Sequence, residues 1–210
     1  MSGAYWSQVV NRFDTERPLY ESEWLMLQYA LDRGCYSVLD VGCAQGGLSD
    51  LVGDYYVGPV AYTGLDVCPD MIYRARGRYP QHQFHCIPPG DFSCLNGQTY
   101  DLVTCLGFLH LTADWKETLR EAWKHTKRFL VFDLRESAAP SIEDIRRSYV
   151  EQNGARIPYN VIGSSEALRE AVSLSPEPKE IRRFGYMIKP DPEAKLILAK
   201  IMASVFLVEK

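Results

Sequence analysis

The stretch Val38-Leu39-Asp40-Val41-Gly42-Cys43-Ala44-Gln45-Gly46 constrains this chain more than any other: a short apolar run ends in a carboxylate and breaks at once into a glycine-bearing turn. Val38, Leu39 and Val41 predict a strand buried on both faces, as in a parallel sheet. Gly42 and Gly46 permit positive φ, or a close approach of bare backbone that a side chain would obstruct. Leu48, Leu51 and Val52 follow at helical spacing, so the turn leads from strand into helix. Two readings stand at this point: a tight turn of the scaffold, or a ligand resting on backbone at a strand-to-helix turn.

Ala61-Tyr62-Thr63-Gly64-Leu65-Asp66 is a second apolar run ending in a carboxylate. Asp66 lies about 20 residues beyond Gly46, the interval at which a nucleotide-binding strand-helix-strand unit places an acidic acceptor for ribose hydroxyls. A carboxylate ending a strand is ordinary alone, but beside the glycine turn it predicts a nucleoside site. The dinucleotide dehydrogenase fingerprint, counted from Gly42, fails at Ala44.

From here the chain resembles the class I S-adenosylmethionine-dependent methyltransferases. Asp40, Gly42, Ala44 and Gly46 are similar to the family's first motif, an acidic residue followed by G-x-G-x-G, with Ala44 in place of the middle glycine. Gly64-Leu65-Asp66-Val67-Cys68-Pro69-Asp70-Met71 resembles the second motif, in which Cys68 begins a helix whose first position is Pro69. Pro89-Gly90-Asp91-Phe92 looks like the acidic loop after the third strand that faces adenine, although a plain turn suits P-G-D equally. Tyr100 to Cys105 is the fourth strand, running into Leu106-Gly107-Phe108-Leu109-His110-Leu111, which resembles the segment that closes over the cofactor and begins the substrate pocket.

The likeness covers residues 36 to 135 and implies a doubly wound α/β fold: a mostly parallel, seven-stranded Rossmann-like sheet completed by a C-terminal antiparallel strand pair. It also implies S-adenosylmethionine as cofactor and S-adenosylhomocysteine as product. Gly42, Cys43, Ala44 and Gly46 would line the methionine end, with Asp40 reaching its amino group; Asp66 with Val67 would take the ribose, Asp91 with Phe92 the adenine, and Leu106 would lie over the cofactor.

At 210 residues and 46% apolar content the chain is expected to form one domain, 36–210, with residues 1–35 as a helical cap or lid. A net charge of −4 with interspersed signs disfavours a nucleic-acid partner, and the cluster Arg74, Arg76 and Arg78 reads as a solvated helix face and C-terminal end. No basic-then-apolar leader and no run of ~18 apolar residues is visible, so a soluble, cytoplasmic protein without a membrane partner is expected, as monomer or homodimer. The six cysteines form no C-x-x-C pair and read as reduced thiols.

Further helices are expected over Tyr20 to Arg33, ended by Gly34, and over 114–126 after Thr112 as N-cap. Another is expected from a Ser141/Asp144 capping box through Ile142, Ile145 and Tyr149 to Gly154, and a short one over Ser165 to Val172. Arg128 to Leu134 is read as the fifth strand. Glu180 to Ile188 and Ile201 to Val208 are the closing pair, separated by Pro190-Asp191-Pro192.

An activated methyl needs alignment more than covalent catalysis. If the acceptor keeps a proton, His110 is the candidate base, because it follows the fourth strand at the carboxyl edge where ligands gather; a histidine bonded to backbone is the other reading. Tyr5 and Tyr20 are candidate substrate contacts from the cap, while Trp6 and Phe13 serve equally as core anchors. The segment C-L-G-F lacks the N-P-P-Y or D-P-P-Y of enzymes methylating adenine or amide nitrogen, Cys105 reads as a buried thiol, and Asp133 stands alone, so no metal is expected. The expected acceptor is an oxygen or nitrogen of a small metabolite. A catalytically silent cofactor-binding scaffold, or action on RNA or protein, remains the alternative.

Overall fold

The computed structural model describes residues 19–56, 58–152 and 154–210. Strands β1 (Ser37–Val41), β2 (Ala61–Asp66), β3 (Gln83–Cys86), β4 (Tyr100–Cys105) and β5 (Thr126–Ser137) run parallel in the order β3-β2-β1-β4-β5. Beyond β5 the sheet is completed by β11 (Ile201–Glu209) and then β9 (Glu180–Ile188), both joined antiparallel. This is the doubly wound, Rossmann-like sheet with an antiparallel closing pair. An eighth strand, β8 (Ile162–Gly163), pairs parallel with Glu136 and Ser137 at the far end of β5.

Strand alternation divides the core in two. Leu39, Val41, Val103, Cys105, Leu130, Phe132, Phe206 and Val208 face one side, covered by α4 (Trp115–Lys124) and α5 (Ser164–Val172) through Trp115, Leu119, Trp123 and Ala167. Val38, Leu102, Phe129, Val131, Val205 and Leu207 face the other, under α1 (Glu21–Leu31), α2 (Leu48–Tyr55) and α3 (Pro69–Arg78). Phe132 and Phe206, paired across β5 and β11, stack with centroids 4.8 Å apart. Burying each of these rings is worth about 1.5–3 kcal/mol, so the antiparallel pair is fastened to the parallel sheet by core packing as well as by its ladder.

Helix α1 lies where expected. Its Glu23 side chain accepts from the Tyr20 N–H at 2.8 Å, and Gly34 ends the segment at φ +75°. Its Leu27, Ala30 and Leu31 are fully buried, so the described part of the expected cap is also a layer of the core. Tyr5, Trp6 and Phe13 lie outside the described residues.

Three expectations are corrected. Residues 141–152 form no helix: Asp144 turns its carboxylate onto the backbone N–H of Arg146 at 2.9 Å, an Asx turn that competes with helix, and the chain enters β6 (Tyr149–Gln152). A tight turn at Gly154 then leads to β7 (Ala155–Pro158), and with β10 (Ala194–Lys195) these strands form a separate antiparallel sheet in the order β10-β6-β7. Thr112 is not the N-cap of α4, a position held by Asp114; the Thr112 hydroxyl bonds back to Phe108 O at 3.2 Å. The fifth strand is longer than its apolar run, because paired polar residues Asp133, Arg135 and Glu136 extend it past β4.

Candidate active site

The glycine turn is fastened to the end of β2. Gly42 and Cys43 both donate their N–H to Leu65 O, at 2.8 and 3.0 Å. The Ala44 N–H goes on to Asp66 Oδ2 at 2.9 Å, while the Cys68 N–H takes the other oxygen, Oδ1, at 2.8 Å. One carboxylate thus joins the turn after β1 to the start of α3. Burial raises the Asp66 pKa above the usual carboxylate range, against the lowering pull of the Cys68 and Ala44 N–H groups. The Val67 N–H adds to this pull, yet a carboxylate offers about four acceptor directions, so a half-buried Asp66 remains able to accept from a ribose hydroxyl.

Gly42, Ala44 and Gly46 all take positive φ, at +75°, +46° and +80°. The lack of side chains at two of them also has a packing cause. A Cβ at Gly42 would meet Phe108 Cδ1 at 2.6 Å, and one at Gly46 would meet Phe84 Cε1 at 2.7 Å. The turn is therefore closed from above by Phe108, a residue that the reading of the motif did not single out.

Asp40 is buried and held by two hydroxyls, Tyr62 to Oδ2 at 2.6 Å and Thr104 to Oδ1 at 2.7 Å. The strand register explains this set, since Asp40 lies opposite Gly64 and Thr104, and Tyr62 shares the face of Gly64. Thr104 was visible in the sequence as a polar residue inside an apolar central strand; Tyr62 carried no such mark. Cys43 and Cys105 flank Asp40, and burial first, then this carboxylate, pushes both thiols well above the ordinary value. Cys105 is thus a protonated buried thiol and no nucleophile.

Asp91 and Phe92 part company. Asp91 is half-exposed and accepts from the Ser93 N–H at 2.9 Å, and its Ser93 contacts lower its pKa. The Phe92 ring is buried in the core, stacked on His125 with centroids 5.7 Å apart, which leaves Asp91 as the exposed member of the expected pair. Val67 and Leu106 are half-buried at the carboxyl ends of β2 and β4.

His110 occupies a short 3-10 turn, Leu109–Leu111, and is buried. Its ring meets Tyr159 edge-on at 5.2 Å. Its carbonyl accepts from the Asn160 N–H at 2.6 Å, and the Asn160 side chain donates to Thr112 O at 2.8 Å, so the segment after β7 clamps the turn from both ends. Tyr20 packs against Tyr186 of β9 at 6.1 Å. Tyr159 and Asn160 had no sequence signal, because they lie in the stretch misread as following a helix. Among the described residues no group of three or more His, Cys, Asp or Glu side chains could hold a metal ion, and no helix is long and apolar enough to cross a membrane.

The carboxyl edge of the sheet therefore carries a bare turn after β1, a carboxylate ending β2, another in the loop after β3, and a buried histidine after β4. These residues suit an adenosine with a short polar tail. Residues 39–128 match the family model described as Methyltransferase domain. No curated protein matches the chain in sequence. Among solved structures, it is similar to the N-terminal domain of EvdMO1 with SAH bound, at TM-score 0.66 and 14% identity, covering 99% of this chain and 93% of that one. The PH0226 protein from Pyrococcus horikoshii OT3 aligns at TM-score 0.61 and 18% identity, covering 99% of each chain. Magnesium protoporphyrin IX methyltransferase (ChlM) from Synechocystis PCC 6803, with bound SAM, aligns at TM-score 0.56 and 14% identity, covering 90% of this chain and 78% of that one. At such identities the likeness is one of fold.

Proposed function

We propose that this chain, whose residues 39–128 match a methyltransferase-domain model, is an S-adenosylmethionine-dependent methyltransferase of the class I type that methylates an oxygen or nitrogen of a small-molecule acceptor. The observation that carries this reading is His110, buried beside Tyr159 in the turn that follows β4, two residues beyond the ring that covers Gly42.

When bound, S-adenosylmethionine supplies a methyl group already activated on a sulfonium. The chain's own residues then bind, orient and exclude water. Asp66 accepts from the ribose, Asp91 faces the adenine, and the Gly42–Gly46 turn meets the methionine end with Asp40 behind it. His110 takes a proton from the acceptor hydroxyl or amine, or orients it by a hydrogen bond. Alignment alone is worth roughly 7–11 kcal/mol when the acceptor is held near attack geometry, so a site this spare suffices. Tyr20, 42% exposed and packed on Tyr186, offers an aromatic wall for the acceptor, and Tyr5 joins it in this proposal.

A net charge of −4 with acidic and basic residues interspersed supports a small molecule over a nucleic acid, and we take the enzyme to be cytoplasmic and a monomer or homodimer. The test is transfer of labelled methyl from S-adenosylmethionine into a fractionated metabolite extract, with purified RNA and protein as parallel acceptors. Label entering the small-molecule fraction supports the proposal; label confined to RNA or protein overturns it.

A further inference from the structure

Strand β5 outruns β4 at the carboxyl edge. The last residue of β4, Cys105, pairs with Phe132, and Asp133 and Arg135 lie just beyond that register. Both are buried, at 1% and 8% exposure. Arg135 Nη1 donates to Asp133 Oδ2 at 2.6 Å, and Asp133 Oδ1 accepts the Gly107 N–H. A buried carboxylate is costly without a compensating charge, and Arg135 supplies it on the same strand face. Gly107 has φ +81°, a conformation glycine takes freely, and it swings the next residue, Phe108, over Gly42. A continuous line of contacts therefore runs from Arg135 through Asp133, Gly107 and Phe108 to the bare turn, with His110 two residues further on.

We propose that Asp133, charge-balanced by Arg135, is a positioning residue that fixes the Leu106–His110 segment against the Gly42 turn and thereby sets cofactor affinity. The proposal rests on the reading of that turn as the cofactor site. A pair that merely braced the sheet edge would affect folding alone, without a selective effect on ligand binding.

Changing one member leaves an uncompensated buried charge and endangers the fold, so both are changed together. Asp133→Asn with Arg135→Gln keeps a carbonyl oxygen for the Gly107 N–H and removes both charges. Asp133→Leu with Arg135→Met fills similar volume and removes the acceptor. Each variant of the full chain is melted, titrated with S-adenosylhomocysteine, and followed by amide hydrogen exchange. The Leu/Met pair is expected to fold, to bind S-adenosylhomocysteine roughly ten- to a hundredfold more weakly, and to exchange faster at 106–110. The Asn/Gln pair should stay within about threefold of the parent. A folded Leu/Met variant with parental affinity and exchange would overturn the proposal, as would equal weakening of both variants. Should the parent chain bind no S-adenosylhomocysteine, the cofactor reading fails separately. Exchange at 106–110 in the Leu/Met variant then decides alone: selective acceleration upholds the positioning role, and unchanged exchange removes it.

Discussion

The carboxyl edge of the sheet is made in two different ways. On the β1–β2 side, neighbours in sequence do the building: backbone N–H groups of one turn close onto Leu65 O and Asp66, and the residues that matter lie in two short runs. On the β4–β5 side, His110 and Gly107 are held by Asn160, Tyr159 and Asp133, side chains and backbone delivered from distant parts of the chain. The first side can be written as a motif. The second depends on tertiary packing between segments far apart in sequence, so no short motif encodes it.

Separating binding from turnover breaks or sharpens that contrast most. His110→Ala is expected to lower turnover by about 10²–10⁴-fold if it moves a proton, while S-adenosylhomocysteine affinity barely changes. A loss of cofactor affinity comparable to the loss of turnover would show that the two sides are one unit. Full turnover across the pH range would take His110 out of the chemistry.

Next in size is a pair of glycines with the same backbone and different surroundings. Gly42 at φ +75° faces the Phe108 ring, whereas Gly154 at φ +76° has nothing within 4 Å of a would-be Cβ. Gly154→Ala carries only the left-handed penalty, about 1–2 kcal/mol. Gly42→Ala adds overpacking of about 1–3 kcal/mol and displaces Phe108 from the turn. Denaturant unfolding should rank Gly42→Ala as the more damaging, and only that variant should weaken S-adenosylhomocysteine binding. Equal costs would mean that the Phe108 contact gives way freely.

Asp66 tests the stitched side by pH. Its pKa is raised in the folded chain by burial, so the stability it contributes is present below the unfolded carboxylate pKa and lost as pH rises through the folded value. Cofactor binding runs the other way, because only the carboxylate accepts fully from the ribose as well as from Ala44 and Cys68. Affinity for S-adenosylhomocysteine should therefore fall on acidification, starting at a higher pH than an ordinary carboxylate would give. Asp66→Asn should flatten that dependence and weaken binding by about 1.5–3 kcal/mol, measured by calorimetry. A variant with unchanged affinity would detach Asp66 from the ribose.

What the sequence made legible follows the same division. Val38 to Gly46 and Ala61 to Asp66 state their structure locally, since continuous apolar runs select buried parallel strands and glycines select left-handed turns. The closing pair was equally plain from its two long apolar runs around Pro190 and Pro192. Residues 141–152 misled because Ser141 and Asp144 have capping-box spacing, yet both spend their oxygens elsewhere: Ser141 accepts from the Gly163 N–H at 2.8 Å and Asp144 folds back on Arg146. The sequence did not show that Phe92 is a core residue, because an aromatic beside an exposed carboxylate suits a core as well as a pocket. Asp133 looked solitary because its partners lie two residues along the strand and across the sheet at Gly107.

Ala44 gives the smallest effect and the finest test of the motif. It sits at φ +46° where the family pattern has glycine, a conformation that costs an L-residue about 1–2 kcal/mol. Replacing it by glycine relieves that cost and returns about 0.4–1 kcal/mol to the unfolded chain as entropy. The net gain for Ala44→Gly should therefore be a few tenths to about 1 kcal/mol, read as a higher denaturant midpoint at constant slope. The Ala44 N–H bond to Asp66 needs no side chain, so S-adenosylhomocysteine affinity should change by less than about threefold. A loss of affinity without loss of stability would show that the Ala44 methyl itself touches the cofactor. The departure from the family pattern would then be a contact of this chain's own, and the stitched side would be less constant than its motif suggests.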